Sequence, residues 1–385
     1  MSPAVCFERH PGAARAPLPP EYRPRHPAAT VLYRVVHDHL ETMLAEARQR
    51  TEHGSGYPAF VEHDFRKFMT CGRVQAGFAR QRCPACGFER LLPFSCKARL
   101  CPSCHARRMH QTALRLTDEV LPHVRYRLWT FTLPRPLRYL MARDPEVLGA
   151  ILGAFVRTVF AWQRRCARAD GFAGPMPGAV GFVQLFGGAL NANCHAHALF
   201  PDGVFLARPE QPLVFLEQYA PSQANIDRLL ATIGRKVLRL RAHLEQAAHG
   251  ADLQDPDALD QALAEAVQAR LPVGREVDDH TGSPAPSAHR CASADGFSLH
   301  ANLTIEADDR AGLQRVIRYA ARQAFASERL HLLPDGRVRY DLRRPWGPHR
   351  LTHLTLEGPE LLRRLAAILP RPYLNLTRYY GILTP

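Results

Sequence analysis

Apolar residues recur with helical spacing in the first third of the chain. Residues 30–50 place Leu32, Val35, Val36, Leu40 and Leu44 on one side of a helix. Similar spacing predicts helices over residues 58–69 and 105–121. The segment between them, residues 71–104, is rich in cysteine and in turn-forming residues, which predicts loops.

Beyond residue 121 the pattern mixes strands with helices. Strands are predicted at 125–133, 179–186, 193–200, 297–307 and 350–356, and helices at 145–168, 223–245, 308–325 and 359–369. The turn-rich sequence GGALNA joins the second and third strands, which predicts an antiparallel hairpin. The pattern therefore predicts an α+β fold in which a flexible basic arm (1–29) and a helical, zinc-binding domain (30–121) precede an α+β domain (122–385). That last domain carries an insertion at about residues 250–296.

Charge changes this picture by indicating a partner. The chain has 50 Lys and Arg against 36 Asp and Glu, a net charge of +14 and a pI near 9.7. This balance favours a polyanionic partner, with nucleic acid ahead of an anionic membrane surface. The N-terminus has no apolar signal core, and Arg157 interrupts the longest apolar stretch. We therefore expect a cytoplasmic protein that spans no membrane, with reduced cysteines.

Two CxxC turns, CPAC and CPSC, are separated by 14 residues in this reduced setting. Each turn lets two thiolates reach one ion, so Cys83, Cys86, Cys101 and Cys104 are predicted to hold a structural Zn²⁺. Cys71, Cys96 and His105 could form a second site or replace one of the four. Basic residues surround these cysteines and are predicted to contact DNA phosphates: Arg80, Arg82, Lys97, Arg99, Arg107 and Arg108.

The sequence Cys194-His195-Ala196-His197 lies in a predicted strand. Because side chains alternate between faces, the two histidines point the same way and Cys194 points to the other face. Two imidazoles at this spacing can hold one divalent ion, and Gln184 on the partner strand is a candidate third ligand. Such a set suits Mg²⁺ or Mn²⁺ with open positions for phosphate oxygens.

The predicted helix 308–325 carries Tyr319 among arginines. Helical spacing places Arg315 and Gln323 on the face of Tyr319, with Arg318 and Arg322 on a neighbouring face. Arginines beside a phenol can stabilise the phenolate and hold a phosphate. A metal that polarises a phosphodiester and a tyrosine that attacks it would together form a nicking and joining site.

Five stretches carry a family resemblance, in the order CGRVQAGFARQRCPACGFERLLPFSCKARLCPSCHARRM, WTFTLPRPLRYLMA, GFVQLFGGALNANCHAHALFPDGVF, IRYAARQAFASERL and LTRYYGILTP. Together they closely resemble the insertion sequence 91 family of transposases, from about Cys71 to the C-terminus. The resemblance implies a zinc-binding domain followed by an HUH (His-hydrophobic-His) endonuclease domain. That domain has a ferredoxin-like fold, a central antiparallel sheet with flanking helices.

The resemblance also implies a bacterial, nucleoid-associated enzyme of rolling-circle transposition. Such an enzyme cuts single-stranded DNA at element ends through a 5′-phosphotyrosine and joins it to target DNA, and it can form a homo-oligomer. His195 and His197 would be the HUH pair, Tyr319 the nucleophile, and Thr130 and Thr132 neighbours of the site. Gln184 is the favoured third ligand, and Gln323, one turn after the nucleophile, is the alternative.

Two departures from the family pattern leave other interpretations open. Arg315 stands where two-tyrosine members have a second tyrosine, so the chain resembles the single-tyrosine branch. Tyr319 would then act twice, or a second subunit or Tyr379 or Tyr380 would take part. The chain also stops soon after LTRYYG, which leaves a zinc-dependent DNA-binding protein with an inactive, truncated nuclease as the alternative function. A hydrolase using a histidine-bound water is disfavoured, because no Asp or Glu follows the pair as a base at helical spacing.

Overall fold

The computed structural model describes residues 27–208, 211–218, 220–248, 257–268, 289–346 and 350–384. The predicted basic arm, residues 1–29, lies almost wholly outside the described residues, and so does much of the predicted insertion at about 250–296. The helices are α1 (Val31–Arg50), α2 (Ala59–Met69), α3 (Pro102–Arg115), α4 (Arg135–Arg143), α5 (Pro145–Ala169), α6 (Gln223–Ala248), α7 (Ala258–Gln268), α8 (Arg310–Ala320) and α9 (Gly358–Ala367).

Within the described residues, the strands form one large sheet and three small ones. They are β1 (Phe78–Arg82), β2 (Glu89–Pro93), β3 (Tyr126–Thr132), β4 (Gly178–Gln184), β5 (His195–Pro201), β6 (Gly203–Arg208), β7 (Gln211–Glu217), β8 (Cys291–Ala294), β9 (Phe297–Ile305), β10 (Leu330–Leu332), β11 (Val338–Trp346), β12 (Leu351–Leu356) and β13 (Thr377–Gly381). The mixture of helix and sheet that the sequence predicts is confirmed.

The large sheet has six strands in the order β13-β4-β5-β3-β9-β8, and every neighbouring pair is antiparallel. β4 and β5 form the hairpin that the GGALNA turn predicts. β13 pairs with β4, so Tyr379 and Tyr380 lie in an edge strand of this sheet. β1 and β2 form a separate hairpin within the segment predicted as loops.

Both faces of the large sheet are covered. One face packs against α5 and α6 through aromatic side chains that include Trp129, Phe131 and Phe200. The opposite face packs Tyr126 and its neighbours against α8. Because β5 alternates, Cys194 and Ala196 belong to the first core, while His195 and His197 lie on the face that α8 partly covers.

A third core joins α1 to α7 and α9, which lie far from it in the sequence. Residues of α1 pack against α9 and α7, and the buried cysteines around α3 belong to the same cluster. The helix within the predicted insertion, α7, thus contributes Leu259 and Leu263 to this core. This core contains residues from both sides of residue 121, where the sequence predicted a boundary between domains.

The helix α5 is long and apolar enough to cross a membrane by length and composition. However, 67% of its most apolar window is buried inside the protein. Its apolar face covers the large sheet, which is the behaviour of a core helix.

The predicted helix 308–325 ends earlier than expected, at Ala320. The side-chain amide of Gln184 donates hydrogen bonds to the backbone oxygens of Tyr319 (3.0 Å) and Ala320 (2.8 Å). In a continuing helix these oxygens would accept the N–H groups four residues later. A side chain from the sheet therefore takes the place of the next helical turn.

Candidate active site and zinc centre

Four buried cysteines converge beside the start of α3: Cys71 after α2, Cys96 after β2, and Cys101 and Cys104 at the helix start. Their sulfur atoms all lie within 4.8 Å of one another, and the closest pairs are 3.5–3.6 Å apart. Sulfurs bound to Zn²⁺ at about 2.3 Å in a tetrahedron stand about 3.8 Å apart, whereas disulfide sulfurs stand about 2.05 Å apart. The cluster therefore fits a closed, structural zinc site.

Metal binding requires thiolates, and the four thiols differ in this respect. Hydrogen bonding from Cys101 lowers the pKa of Cys71 to about 6 and holds the pKa of Cys104 below its usual range. The pKa of Cys96 and that of Cys101 are raised, the latter by its hydrogen bond with Cys104. The backbone of Lys97 adopts a left-handed conformation (φ 56°), and the N–H of Ala98 donates to the Cys96 sulfur at 3.4 Å. This tight turn brings Cys96 to the other three.

Cys83 and Cys86 do not belong to this cluster, which corrects the ligand set predicted from the two CxxC turns. They lie at the tip of the β1–β2 hairpin, whose strands pair from Phe78 opposite Pro93 to Arg82 opposite Glu89. Five strand residues span roughly 15 Å, so the hairpin holds its tip away from the cluster at its base. The other CxxC turn, Cys101 and Cys104, is completed by cysteines from the two ends of the hairpin segment.

His105 is also outside the cluster. Its Nε2 lies 3.0 Å from the backbone oxygen of Ala321, two residues after Tyr319. The side-chain amide of Gln323 donates to the backbone oxygen of Leu100 at 3.2 Å. The zinc region is therefore tied directly to the segment that follows α8.

His195 and His197 are both 3% exposed, with ring centroids 5.0 Å apart. The Nδ1 of His195 lies 2.8 Å from the backbone oxygen of Asn193, and the Nδ1 of His197 lies 3.0 Å from the Thr130 hydroxyl. These contacts orient the rings as the outer hydrogen bonds of metal-binding histidines do. Burial lowers the pKa of His195 to about 4 and that of His197 well below its usual range. Both imidazoles are thus neutral near pH 7 and can offer a lone pair.

Gln184 lies directly opposite His195 across the β4–β5 ladder and is 1% exposed. Its nitrogen is held by the two carbonyls at the end of α8, while its Oε1 is buried without a hydrogen-bond partner. The Nε2 of His197 is likewise buried without a partner. Buried polar atoms in proteins are normally paired, so these atoms together fit an ion that accepts nitrogen and amide-oxygen ligands.

Tyr319 lies at the open side of this pair. Its ring centroid is 5.5 Å from that of His197, and the residue is 39% exposed. The guanidinium of Arg322 lies 5.3 Å from the Tyr319 ring centroid and 5.1 Å from that of Phe186. An accessible phenol, a cation and two neutral imidazoles thus share one site.

Two family models match the chain. The model described as "Transposase zinc-binding domain" matches residues 36–133, which contain the cysteine cluster. The model described as "Putative transposase" matches residues 178–385, more than half of the chain, including the histidine pair and Tyr319. The chain belongs to the insertion sequence 91 family of transposases. No curated protein and no solved structure matches this transposase.

The arginines of α8 and of the segment that follows it occupy different positions in the transposase. Arg322, two residues beyond the end of α8, stacks on Tyr319, and its burial lowers its pKa. Arg315 ion-pairs with Asp309 at 3.7 Å, and Arg318 donates to Gln314 at 2.7 Å. The helical spacing that predicted a shared face for Arg315, Tyr319 and Gln323 does not extend to Gln323, because α8 has already ended.

The basic residues of the zinc region are mostly exposed. Arg80, Arg82, Lys97, Arg107 and Arg108 lie at the surface, whereas Arg99 is half-buried and donates to the backbone oxygens of Pro370 and Arg371. Arg99 therefore holds the zinc region of the transposase against the segment after α9. Its contribution to DNA contact is not supported by this position.

Sequence reasoning missed the contact between Gln184 and the end of α8. No periodicity signals a side chain that ends a helix from another element. It also gave Cys71 and Cys96 only a secondary place. The alternation of FARQR and ERLLP around CPACGF was a hairpin signal, and a hairpin would have separated Cys83 and Cys86 from the base.

Proposed function

We propose that this transposase nicks and rejoins single-stranded DNA at element ends through a 5′-phosphotyrosine at Tyr319. The phenolic oxygen attacks the scissile phosphorus, the bond from phosphorus to the 3′ oxygen breaks, and the 3′ oxygen leaves as a hydroxyl after taking up a proton. Attack by a 3′-hydroxyl on the phosphotyrosine reverses these bonds and regenerates the phenol. The phosphodiester energy stays in the tyrosyl ester, so no nucleotide cofactor is needed.

His195, His197 and Gln184 would hold Mg²⁺ or Mn²⁺, separate from the structural Zn²⁺ of the cysteine cluster. The support is the pair of buried atoms without partners, His197 Nε2 and Gln184 Oε1, together with two neutral imidazoles. When bound, the cation would polarise the phosphate and offset its charge. Gln323, the alternative ligand, is less well supported because its amide is engaged with Leu100.

The protein's own groups provide positioning. Gln184 links β4 to the carbonyls of Tyr319 and Ala320, which fixes the nucleophile relative to the histidine pair. Arg322 supplies a positive charge beside the phenol, in a half-buried setting where charge interactions are stronger than in water. Thr130 orients His197 through its Nδ1 contact.

The observation that carries the proposal is the half-exposed Tyr319 ring, 5.5 Å from the buried His197 ring. The test incubates the purified chain with labelled single-stranded element ends and Mg²⁺ or Mn²⁺, and measures covalent protein–DNA adduct on denaturing gels. We expect an adduct that disappears with chelator and in Tyr319→Phe. Tyr373→Phe is the matched control, because Tyr373 is 98% exposed and lies outside the site.

Binding of DNA without any adduct under either metal would refute the proposal. That result would favour the alternative function, a zinc-dependent DNA-binding protein with an inactive nuclease domain. With one tyrosine at the site, a rolling-circle cycle would require Tyr319 to act twice or a second copy of the chain to supply another. We further propose that the HUH arrangement, the nucleoid association and any homo-oligomer follow the family pattern.

A further inference from the structure

The β1–β2 hairpin exposes an unusual share of aromatic surface. Phe78, Phe88 and Phe94 are 44%, 49% and 57% exposed, and Leu91 is 46% exposed. They are the three exposed phenylalanines among the residues that the structure describes. Large apolar side chains clustered at a surface, rather than scattered, mark a binding site.

Strand register sorts these side chains onto two faces. Phe78 lies opposite Pro93, and alternation from that pair places Arg90 and Leu92 on the other face. The N–H of Phe94 donates to the backbone oxygen of Gly77 (3.0 Å), and the N–H of Cys83 donates to the backbone oxygen of Phe88 (2.8 Å). The β1–β2 hydrogen-bond ladder thus continues for one residue pair at each end. Phe88, Arg90, Leu92 and Phe94 therefore follow one another along one face, which we call the Phe88–Phe94 face.

The opposing strand leaves the Phe88 and Phe94 rings exposed, while Arg90 and Leu92 between them are partly buried. Its residues there are small or uncharged, and the ring of Phe94 lies over Gly77, where an added Cβ would approach the ring to 2.9 Å. A glycine at this position lets the ring lie flat against the backbone. A two-stranded hairpin without a covering layer is marginal in water, so this surface is suited to a partner.

The charge of the segment indicates which partner. Residues 72–97 carry five basic side chains and one acidic side chain, Glu89, which is paired with Arg80. Within the two strands, Arg90 lies on the Phe88–Phe94 face, and Arg80 and Arg82 lie on the opposite face. Purely apolar protein surfaces bind apolar partners. Surfaces that bind single-stranded nucleic acid instead combine aromatic rings with positively charged side chains. In a duplex the base faces are already covered by neighbouring pairs, so rings can stack only on unpaired bases.

We infer that the Phe88–Phe94 face binds unpaired bases of single-stranded DNA by stacking on Phe88 and Phe94. This inference rests on the proposed function for its choice of DNA, and extends it by assigning a base-contacting surface outside the Tyr319 site. The basic side chains of the segment hold the phosphates, which gives salt dependence, while the rings contribute an attraction that salt screens little.

The test measures equilibrium binding of the full, zinc-loaded chain to three probes of equal length: an oligothymidylate, an abasic oligonucleotide and a duplex. Stacking contributes about 1–3 kcal/mol per base, so Phe94→Leu should weaken oligothymidylate binding roughly fivefold to a hundredfold. It should leave abasic and duplex binding unchanged, and Phe94→Tyr should restore the affinity. Phe78→Leu, on the opposite face of the same hairpin, is the matched control and should bind normally.

Equal losses for oligothymidylate and abasic DNA would overturn the inference, and so would an equal loss in Phe78→Leu. A Phe94→Leu variant that binds DNA normally but changes from dimer to monomer would assign this face to a second copy of the chain. Adduct formation at Tyr319 is measured in parallel at saturating DNA and should persist in Phe94→Leu. Base-dependent binding with no adduct in the parent would refute the nicking proposal and leave this one standing.

Discussion

Gln184 offers the sharpest test of the site, because its two ends have separate roles. Its nitrogen bonds the carbonyls of Tyr319 and Ala320, and its Oε1 has no hydrogen-bond partner. Gln184→Leu keeps the approximate volume and removes both functions. Each lost hydrogen bond costs about 1 kcal/mol, and a buried carbonyl left unpaired costs about 1–3 kcal/mol. Tyr319 O keeps a weak bond from the Arg322 N–H, so we expect a total loss of about 2–3 kcal/mol in unfolding free energy.

The cation adds a second measurement to the same experiment. A ligand that binds only the folded chain stabilises it by about 2.7 kcal/mol at one hundred times its dissociation constant. We expect Mn²⁺ to raise the denaturant midpoint of the parent and to have much less effect on Gln184→Leu. Gln184→Glu should lose stability without metal, because a carboxylate then faces two carbonyl oxygens. It should regain more than the parent does when Mn²⁺ is added.

Gln163 provides the matched control. Its side-chain nitrogen also donates to two backbone oxygens, those of Pro201 and Gly203, and its Oε1 is also buried without a partner. Gln163→Leu should therefore cost a similar free energy of unfolding while keeping the full response to Mn²⁺. If Gln184→Leu responds to Mn²⁺ as strongly as the parent does, Gln184 is not a ligand and the reasoning about its unpaired oxygen is wrong.

Three further predictions follow from other parts of the structure. Cys96→Ser should release Zn²⁺, measured with a chromogenic chelator, and should lower adduct formation at Tyr319, because the zinc region contacts the segment after α8. An unchanged adduct yield in zinc-free protein would contradict this prediction. Burial depresses the pKa of His195 from 6.5 to about 4, so the stability that neutral His195 contributes is present above pH 6.5 and is lost as the pH falls towards 4. Between pH 7 and pH 4.5, the free energy of unfolding of the parent should fall by about 2.5 kcal/mol more than that of His195→Gln, measured with denaturant. Arg127 forms a bidentate ion pair with buried Asp202 (2.9 and 2.7 Å). Asp202→Asn should lower the free energy of unfolding by about 3–5 kcal/mol, because it leaves the buried charge of Arg127 without its partner. A loss under about 1 kcal/mol would show that water reaches the pair.

The strands around the histidines could be predicted because their pattern is local. Alternation in β5 separated Cys194 from His195 and His197, and the structure places them on opposite faces of the large sheet. The turn between β4 and β5 implied a hairpin, which brought Gln184 opposite His195. These relations depend on neighbouring residues and on the fixed period of a strand.

The relations that could not be predicted depend on residues far apart in the chain. Gln184, more than a hundred residues earlier, donates to the last carbonyls of α8, and helical periodicity beyond Ala320 gives no sign of this contact. The zinc ligands depend on the length of a hairpin that holds Cys83 and Cys86 away from Cys101 and Cys104. Spacing along the sequence gives the number of residues between the cysteines but not the path that the chain takes between them.

The packing of α1 against α9 has a consequence for how the enzyme is made. Helix α1 completes its core only against α9, which begins at Gly358, roughly three hundred residues later in the chain. Contacts between such distant segments form late and slow the folding of a chain. During synthesis the zinc region and Tyr319 are therefore made before the core between α1 and α9 can close, so the closure of this core waits until α9 has been made.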